Sequence, residues 1–132
     1  MSEENAEVVR RAYELLNRRD AEALVELCAD DFLIDMSERV FNPATYRGPD
    51  GIRRFLDDVD AAWQSYHWDV EEARVAGDVV VAMLHCQGQS RDAGPEVDWH
   101  VAWAWKLRGE TPISLRFYRD RAQALDAAGL SE

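Results

Sequence analysis

The sequence predicts an α+β domain in which an antiparallel sheet curves around three helices. Three observations carry that prediction. Apolar residues recur at helical spacing through the first half of the chain, four β-prone segments separated by turn signals follow, and a short capped segment closes the chain. Helices followed by a strand meander, rather than strict alternation of the two, exclude a βαβ plan.

In the first segment Val8, Ala12, Leu15 and Leu16 share one side of a helix ending near Arg18-Arg19, with Glu7, Arg10, Arg11 and Glu14 on the remaining surface. Asp20 suits an N-cap for a second, short helix whose apolar side is Ala23, Leu24 and Leu27. Phe32 to Met36 reads as a strand, and the stretch up to Arg47, interrupted by Asn42-Pro43, as a loop that could rim a pocket. Gly48-Pro49-Asp50-Gly51 starts a third helix with the stripe Ile52, Phe55, Leu56, Val59 and Trp63; Arg53 with Asp57 and Arg54 with Asp58 are i,i+4 pairs on its solvated side. Strands then run over His67–Ala76, Val79–Gln89, Glu96–Leu107 and Ile113–Arg119, punctuated at Gly77-Asp78, Gly94-Pro95 and Gly109-Glu110. Asp120 and Gln123 cap a last short helix, which Gly129 stops.

Length and charge narrow the function classes. The 132 residues fit one domain, residues 1–132, able to bury a core without disulfide or metal staples. The longest apolar run, Val79 to Leu84, is too short to cross a bilayer, and the acidic, polar start lacks the pattern of a secretory signal, so a cytoplasmic location is expected. A net charge of −11 repels phosphate backbones and anionic headgroups, which argues against nucleic acid and membrane as partners. Cys28 and Cys86 lack metal or redox spacing and read as reduced, buried thiols.

Alternation within the strands is the sharpest signal. Val97, Trp99, Val101, Trp103, Trp105 and Leu107 share one face, with Asp98, His100, Ala102, Ala104 and Lys106 opposite. On the preceding strand Val79, Val81, Met83, His85 and Gln87 oppose Val80, Ala82, Leu84, Cys86 and Gly88, so both faces are largely apolar and both need cover. A second subunit is the economical outer cover, and a homodimer through the outer sheet face is expected. On the inner face the tryptophans line either a pocket or a solid core; in a pocket, Tyr13, Phe55, Val59, Trp63, Met83, Gln87, Trp99, Trp103 and Trp105 are the expected lining, suited to a hydrophobic small molecule. His85, polar on an apolar strand, reads as a binding or acid/base group or as a hydrogen-bonded histidine. Asp98 and His100 share a face at a spacing that suits two metal ligands, but no third ligand is evident and no metal is expected. Phosphate-loop, dinucleotide and nucleophile-elbow motifs are missing, and no cofactor is expected.

Several strings in order resemble the NTF2-like superfamily, in particular its SnoaL-like polyketide cyclase and ketosteroid isomerase branch. They are Tyr13 to Asp20, Ala29 to Phe32, Tyr46-Arg47-Gly48 leading into Gly51 to Phe55, Ala76 to Val81, and Phe117 to Asp120 with Ala124-Leu125 and Ala127 to Leu130, covering nearly the whole chain. The resemblance implies a cone, a curved sheet around helices with the pocket inside, and commonly a dimer. It implies function less directly, because such a fold hosts enzymes and binding proteins alike. Steroid isomerases of this branch use an aspartate base, a tyrosine and a protonated acid. Matched by these strings, the base position falls on Met36 with Asp35 beside it, the tyrosine position near Ala12 with Tyr13 adjacent, and the second acid near Trp103, while His85 and Gln87 fall inward. The expected function is therefore a small-molecule pocket protein. As an enzyme it would perform cofactor-free isomerisation or cyclisation, with His85 or Asp35 as base and Gln87, Tyr13 or an indole N–H as oxyanion donor. As a non-catalytic domain it would bind a hydrophobic ligand or act as a dimeric accessory.

Overall fold

A computed structural model describes residues 2–39, 43–91, 94 and 96–130. Helix α1 (Ser2–Asn17) and helix α2 (Ala21–Leu27) form the opening hairpin. Val9, Ala12, Tyr13 and Leu16 are all buried, at offsets of three, four and seven from Val9, which sets one side of α1 against the sheet. The α1 end is tied down by specific polar contacts. Arg19, at φ 58°, sends its guanidinium to the backbone oxygens of Leu16 (2.8 Å) and Tyr66 (3.0 Å) and to Asp60 (3.0 Å), while the Asn17 amide pairs both ways with the Trp68 backbone, at 2.8 and 2.9 Å. The expected Asp20 cap forms, its carboxylate accepting from Ala23 N at 3.1 Å.

Strand β1 (Leu33–Asp35), strand β2 (Thr45–Arg47), helix α3 (Gly48–Ala62), strands β3 (Trp63–Ala76), β4 (Val79–Ser90), β5 (Glu96–Arg108) and β6 (Thr111–Tyr118), and helix α4 (Arg121–Ala127) complete the chain. They form one six-stranded sheet in the order β2-β1-β6-β5-β4-β3. Every pairing is antiparallel except β1 with β6, which is parallel. Register shifts at Trp63/Ser65, Val70/Glu72 and Lys106/Leu107 are the bulges that let such a sheet curve around α1, α2 and α3.

Three local expectations are corrected. Thr45–Arg47, within the expected loop, pairs with β1 as a strand edge that buries Tyr46. Trp63 does not extend the α3 stripe: it is the extended cap residue at which the chain turns into β3, which therefore starts four residues earlier than expected. The Arg53 guanidinium goes to Glu22 (2.8 and 2.9 Å) and Asp50 (3.0 Å) rather than to Asp57, and Arg54 lies over the Tyr46 ring while Asp58 accepts from the Tyr46 hydroxyl at 2.6 Å. Tertiary partners outcompete the i,i+4 pairs because those pairs contribute only a few tenths of a kcal/mol.

The core lies between the inner sheet face and α1, α2 and α3, and takes Val80, Ala82, Leu84 and Cys86 from β4 with Trp103, Trp105 and Leu107 from β5. The outer face has a second, smaller cluster in which Ala124 and Leu125 of α4 cover Val81, Met83 and Ala102. Cover that the strand pattern assigned to a second subunit is thus supplied, at this patch, by the chain's own last helix. No helix among the described residues is long and apolar enough to cross a membrane.

Candidate functional site

The inner wall is built from aromatic side chains that share strand parity, except Trp63, which joins it across the register shift between Trp63 and Ser65. Trp63, Tyr66 and Trp68 come from β3 and Trp99, Trp103 and Trp105 from β5; Tyr13 of α1 and Phe55 of α3 close over them. Ring pairs link them: Trp68 to Trp103 at 5.8 Å, Phe55 to Trp103 at 6.2 Å, Tyr13 to Trp103 at 5.6 Å, and Trp63 to Trp99 at 6.0 Å. Such edge and tilted contacts add to burial in holding the wall rigid. Trp63 and Tyr66 lie across Gly88, where a Cβ would meet the Tyr66 ring at 2.7 Å and the Trp63 ring at 3.0 Å.

Polarity inside is sparse. Trp105 Nε1 donates to the Tyr13 hydroxyl at 2.9 Å, and Trp99 Nε1 to the Tyr66 hydroxyl at 3.0 Å. The indole N–H groups of Trp68 and Trp103 are buried and have no hydrogen-bond partner. Burial pushes the Tyr13 and Tyr66 phenols up and raises the Cys86 thiol to about 12. Asn5 is the one buried residue with an amide, carboxylate, imidazole or cationic side chain among the described residues, so the interior holds no carboxylate or imidazole base there. The void beside these rings, between Leu16, Leu24, Phe32, Phe55, Trp105 and Leu115, is about 10 Å³, at the lower limit for one water.

The two acid/base candidates are placed elsewhere. His85 is on the outer sheet face, because the inner set of β4 is Val80, Ala82, Leu84, Cys86 and Gly88 and alternation turns His85, Gln87 and Met83 outward. Met83 is packed under α4 and Gln87 is exposed, so neither lines the interior. Asp35 is likewise on the outward parity of β1, with Phe32, Ile34 and Met36 buried on the other side. Its carboxylate accepts from Ser37 N at 3.0 Å and Ser37 Oγ at 2.6 Å. Partial burial pushes that carboxyl up, but the Ser37 bonds and Arg116 outweigh it and hold it below the usual range. Of the expected lining, Tyr13, Phe55, Val59, Trp103 and Trp105 are buried inside, with Trp63 and Trp99 half-buried on the same wall.

Outside, three strands assemble a different polar group. The register aligns Asp69 of β3, His85 of β4 and His100 of β5. The two imidazoles stack at 4.6 Å and 7° between planes. Asp98 meets His85 Nε2 at 2.6 Å, and Glu71 meets His100 Nε2 at 3.5 Å. The hydrogen bond to Asp98 raises the His85 imidazole above its ordinary value, and the same bond lowers the Asp98 carboxyl. An open groove of about 390 Å³ adjoins this cluster, lined by Glu71, Met83, His100, Arg119, Asp120 and Arg121.

A family model described as a SnoaL-like domain matches residues 9–111. The chain belongs to the SnoaL-like domain family. Solved structures share this SnoaL-like fold over nearly the full length. An NTF2-like protein of unknown function from Burkholderia pseudomallei K96243 is 19% identical, with 96% of this chain and 97% of that chain covered at a TM-score of 0.77. A hypothetical protein with ketosteroid isomerase-like fold from Catenulispora acidiphila DSM 44928, in complex with trimethylamine, is 25% identical over 94% and 93% at 0.76. An LEH-like epoxide hydrolase from Mycobacterium tuberculosis is 15% identical over 91% and 85% at 0.70. No curated relative matches by sequence.

Sequence reading missed Trp68 and Tyr66 in the SnoaL-like interior, although their shared parity on β3 was available as a signal. It missed Glu71 beside the histidines for a stronger reason. Alternation puts it outward with Asp69, but its nearness to His85 and His100 is set by how β3 pairs with β4 and β4 with β5, which the pattern within one strand does not give.

Proposed function

We propose that this SnoaL-like chain binds a small, largely apolar molecule carrying an acceptor oxygen, held within the tryptophan-rich interior of the cone. The observation that carries this reading is the pair of buried, unpartnered indole N–H groups of Trp68 and Trp103, whose rings lie 5.8 Å apart. A buried donor left without a partner costs about 1–3 kcal/mol, so a ligand carbonyl or ether that accepts from either one recovers energy a hydrocarbon cannot. The small-molecule complex and the epoxide hydrolase among the structural neighbours support a ligand of this size class. The void of about 10 Å³ is too small for such a molecule, so Trp63, Tyr66 and Trp99, half-buried where Tyr13 and Trp105 are closed in, must swing aside to supply both entry and room.

Non-catalytic binding is favoured over isomerase or cyclase chemistry, because His85 and Asp35 lie outside the cone and the buried phenols and thiol are held protonated near neutral pH. Homodimerisation through the outer sheet face and a cytoplasmic location belong to the same proposal. Intrinsic tryptophan fluorescence titrated with paired cyclic ketones and their hydrocarbon counterparts is the test. The ketone of each pair is expected to bind at least about tenfold tighter, the equivalent of 1.4 kcal/mol, and the Trp68→Phe, Trp103→Phe double variant to erase most of that preference while leaving hydrocarbon binding in place. Equal affinity for both members of every pair, or no response to any of them, overturns the proposal.

A further inference from the structure

We propose that Glu71, His85 and His100 form a binding site for a zinc-class divalent transition metal on the outer sheet face, separate from the tryptophan-lined interior. Three adjacent strands supply one ligand each, and their ligand atoms all lie within 4.8 Å of one another. In a tetrahedral zinc site with bonds of about 2.0–2.1 Å the ligand atoms stand roughly 3.4 Å apart, so closure asks for a contraction on the order of 1 Å. Side-chain rotation supplies it readily, because the His100 and Glu71 side chains are 64% and 47% exposed and no core packing holds them.

The donor set selects the ion. Two imidazoles with one carboxylate suit zinc, nickel or copper, whereas calcium and magnesium call for an all-oxygen shell. Asp98, 2.6 Å from His85 Nε2, brings a second carboxylate that fixes this ring, the kind of contact that accompanies metal-bound histidines. Asp69, opposite His85 in the register, adds a further negative charge on the same face. Glu71 shares the outward parity of Asp69, and the register shift leaves it as the unpaired residue between Val70, opposite Leu84, and Glu72, opposite Met83. Glu71 and His100 also line the open groove of about 390 Å³, which in the single chain leaves an entry path and room at the fourth position for water, an exogenous ligand or, in a dimer through this face, a group of the second copy.

Isothermal titration of the chelator-treated full chain with zinc chloride tests the site, with cobalt as a spectroscopic probe of low-coordinate geometry. One ion per chain is expected, with calcium failing to compete. His85→Gln and His100→Gln are each expected to weaken zinc binding by at least about tenfold, and Glu71→Gln to do the same without altering either imidazole. His67→Gln, which changes the exposed third histidine outside this cluster, should leave affinity as it was. Circular dichroism on each variant separates loss of a ligand from loss of fold. No zinc binding by the wild type, or undiminished binding in the folded His85, His100 and Glu71 variants, overturns the proposal, and neither outcome bears on ligand binding inside the cone.

Discussion

Tyr13→Phe isolates the best-defined polar contact of the interior. The Tyr13 hydroxyl accepts from Trp105 Nε1 at 2.9 Å, with the two residues 2% and 1% exposed. Removing the oxygen keeps the ring pairs to Trp103 and Trp105, at 5.6 and 5.5 Å, so packing is nearly conserved and the loss is electrostatic. It leaves the Trp105 N–H buried without a partner, alongside those of Trp68 and Trp103. Stranding one neutral donor costs about 1–3 kcal/mol. With burial this complete, roughly 1.5–2 kcal/mol is expected, a fall in melting temperature of about 4–8 °C for a domain of this size. Urea unfolding followed by far-ultraviolet circular dichroism measures it, and an unchanged slope would place the effect in stability rather than in denatured-state compactness. A midpoint indistinguishable from wild type refutes the reasoning, since it would mean that the Trp105 N–H is satisfied without Tyr13. The same variant separates two roles for Tyr13: as a structural acceptor it alters stability and leaves the ketone preference intact, whereas an oxyanion donor would alter the preference.

Gly51→Ala should destabilise more severely, by about 1–3 kcal/mol or beyond, because its Cβ would stand 2.8 Å from the Tyr46 carbonyl carbon, main chain that cannot swing aside; thermal unfolding reads it, and wild-type stability would show that α3 can slide on β2. Cys28 and Cys86, both raised from 9.0 to about 12 by burial, should resist thiol reagents at pH 8 and react at ordinary rates once unfolded. The sign follows from linkage: below pH 9 neither state ionises, and between about 9 and 12 the unfolded thiols ionise first, so stability falls as pH rises through that window. Fast labelling of the native chain at pH 8 would contradict the burial of both. A homodimer through the outer face would set Asp69, Glu71 and Asp98 of one copy near those of the other, so its association should strengthen with added salt; sedimentation showing a monomer at every ionic strength removes it.

Local periodicity determined the elements of this SnoaL-like chain and their order. Helical spacing in α1 and α3, the Asp20 and Asp120 caps, and the glycine-marked turns between strands are short-range physics, decided by residues within a few positions of each other. Parity also grouped Trp99, Trp103 and Trp105 correctly on one wall. What parity cannot state is which face is inside. On β5 the aromatic side left little doubt, but β4 is apolar on both faces, and the covering elements, α1 and α3 within and α4 outside, are far away in the sequence. Burial was therefore assigned by contacts that only the folded chain makes, and His85, Gln87 and Met83 went outward with the losing parity. The group formed by Glu71, His85 and His100 depended further on the register of three strands, a relation between distant segments that the linear chain leaves open until they pair.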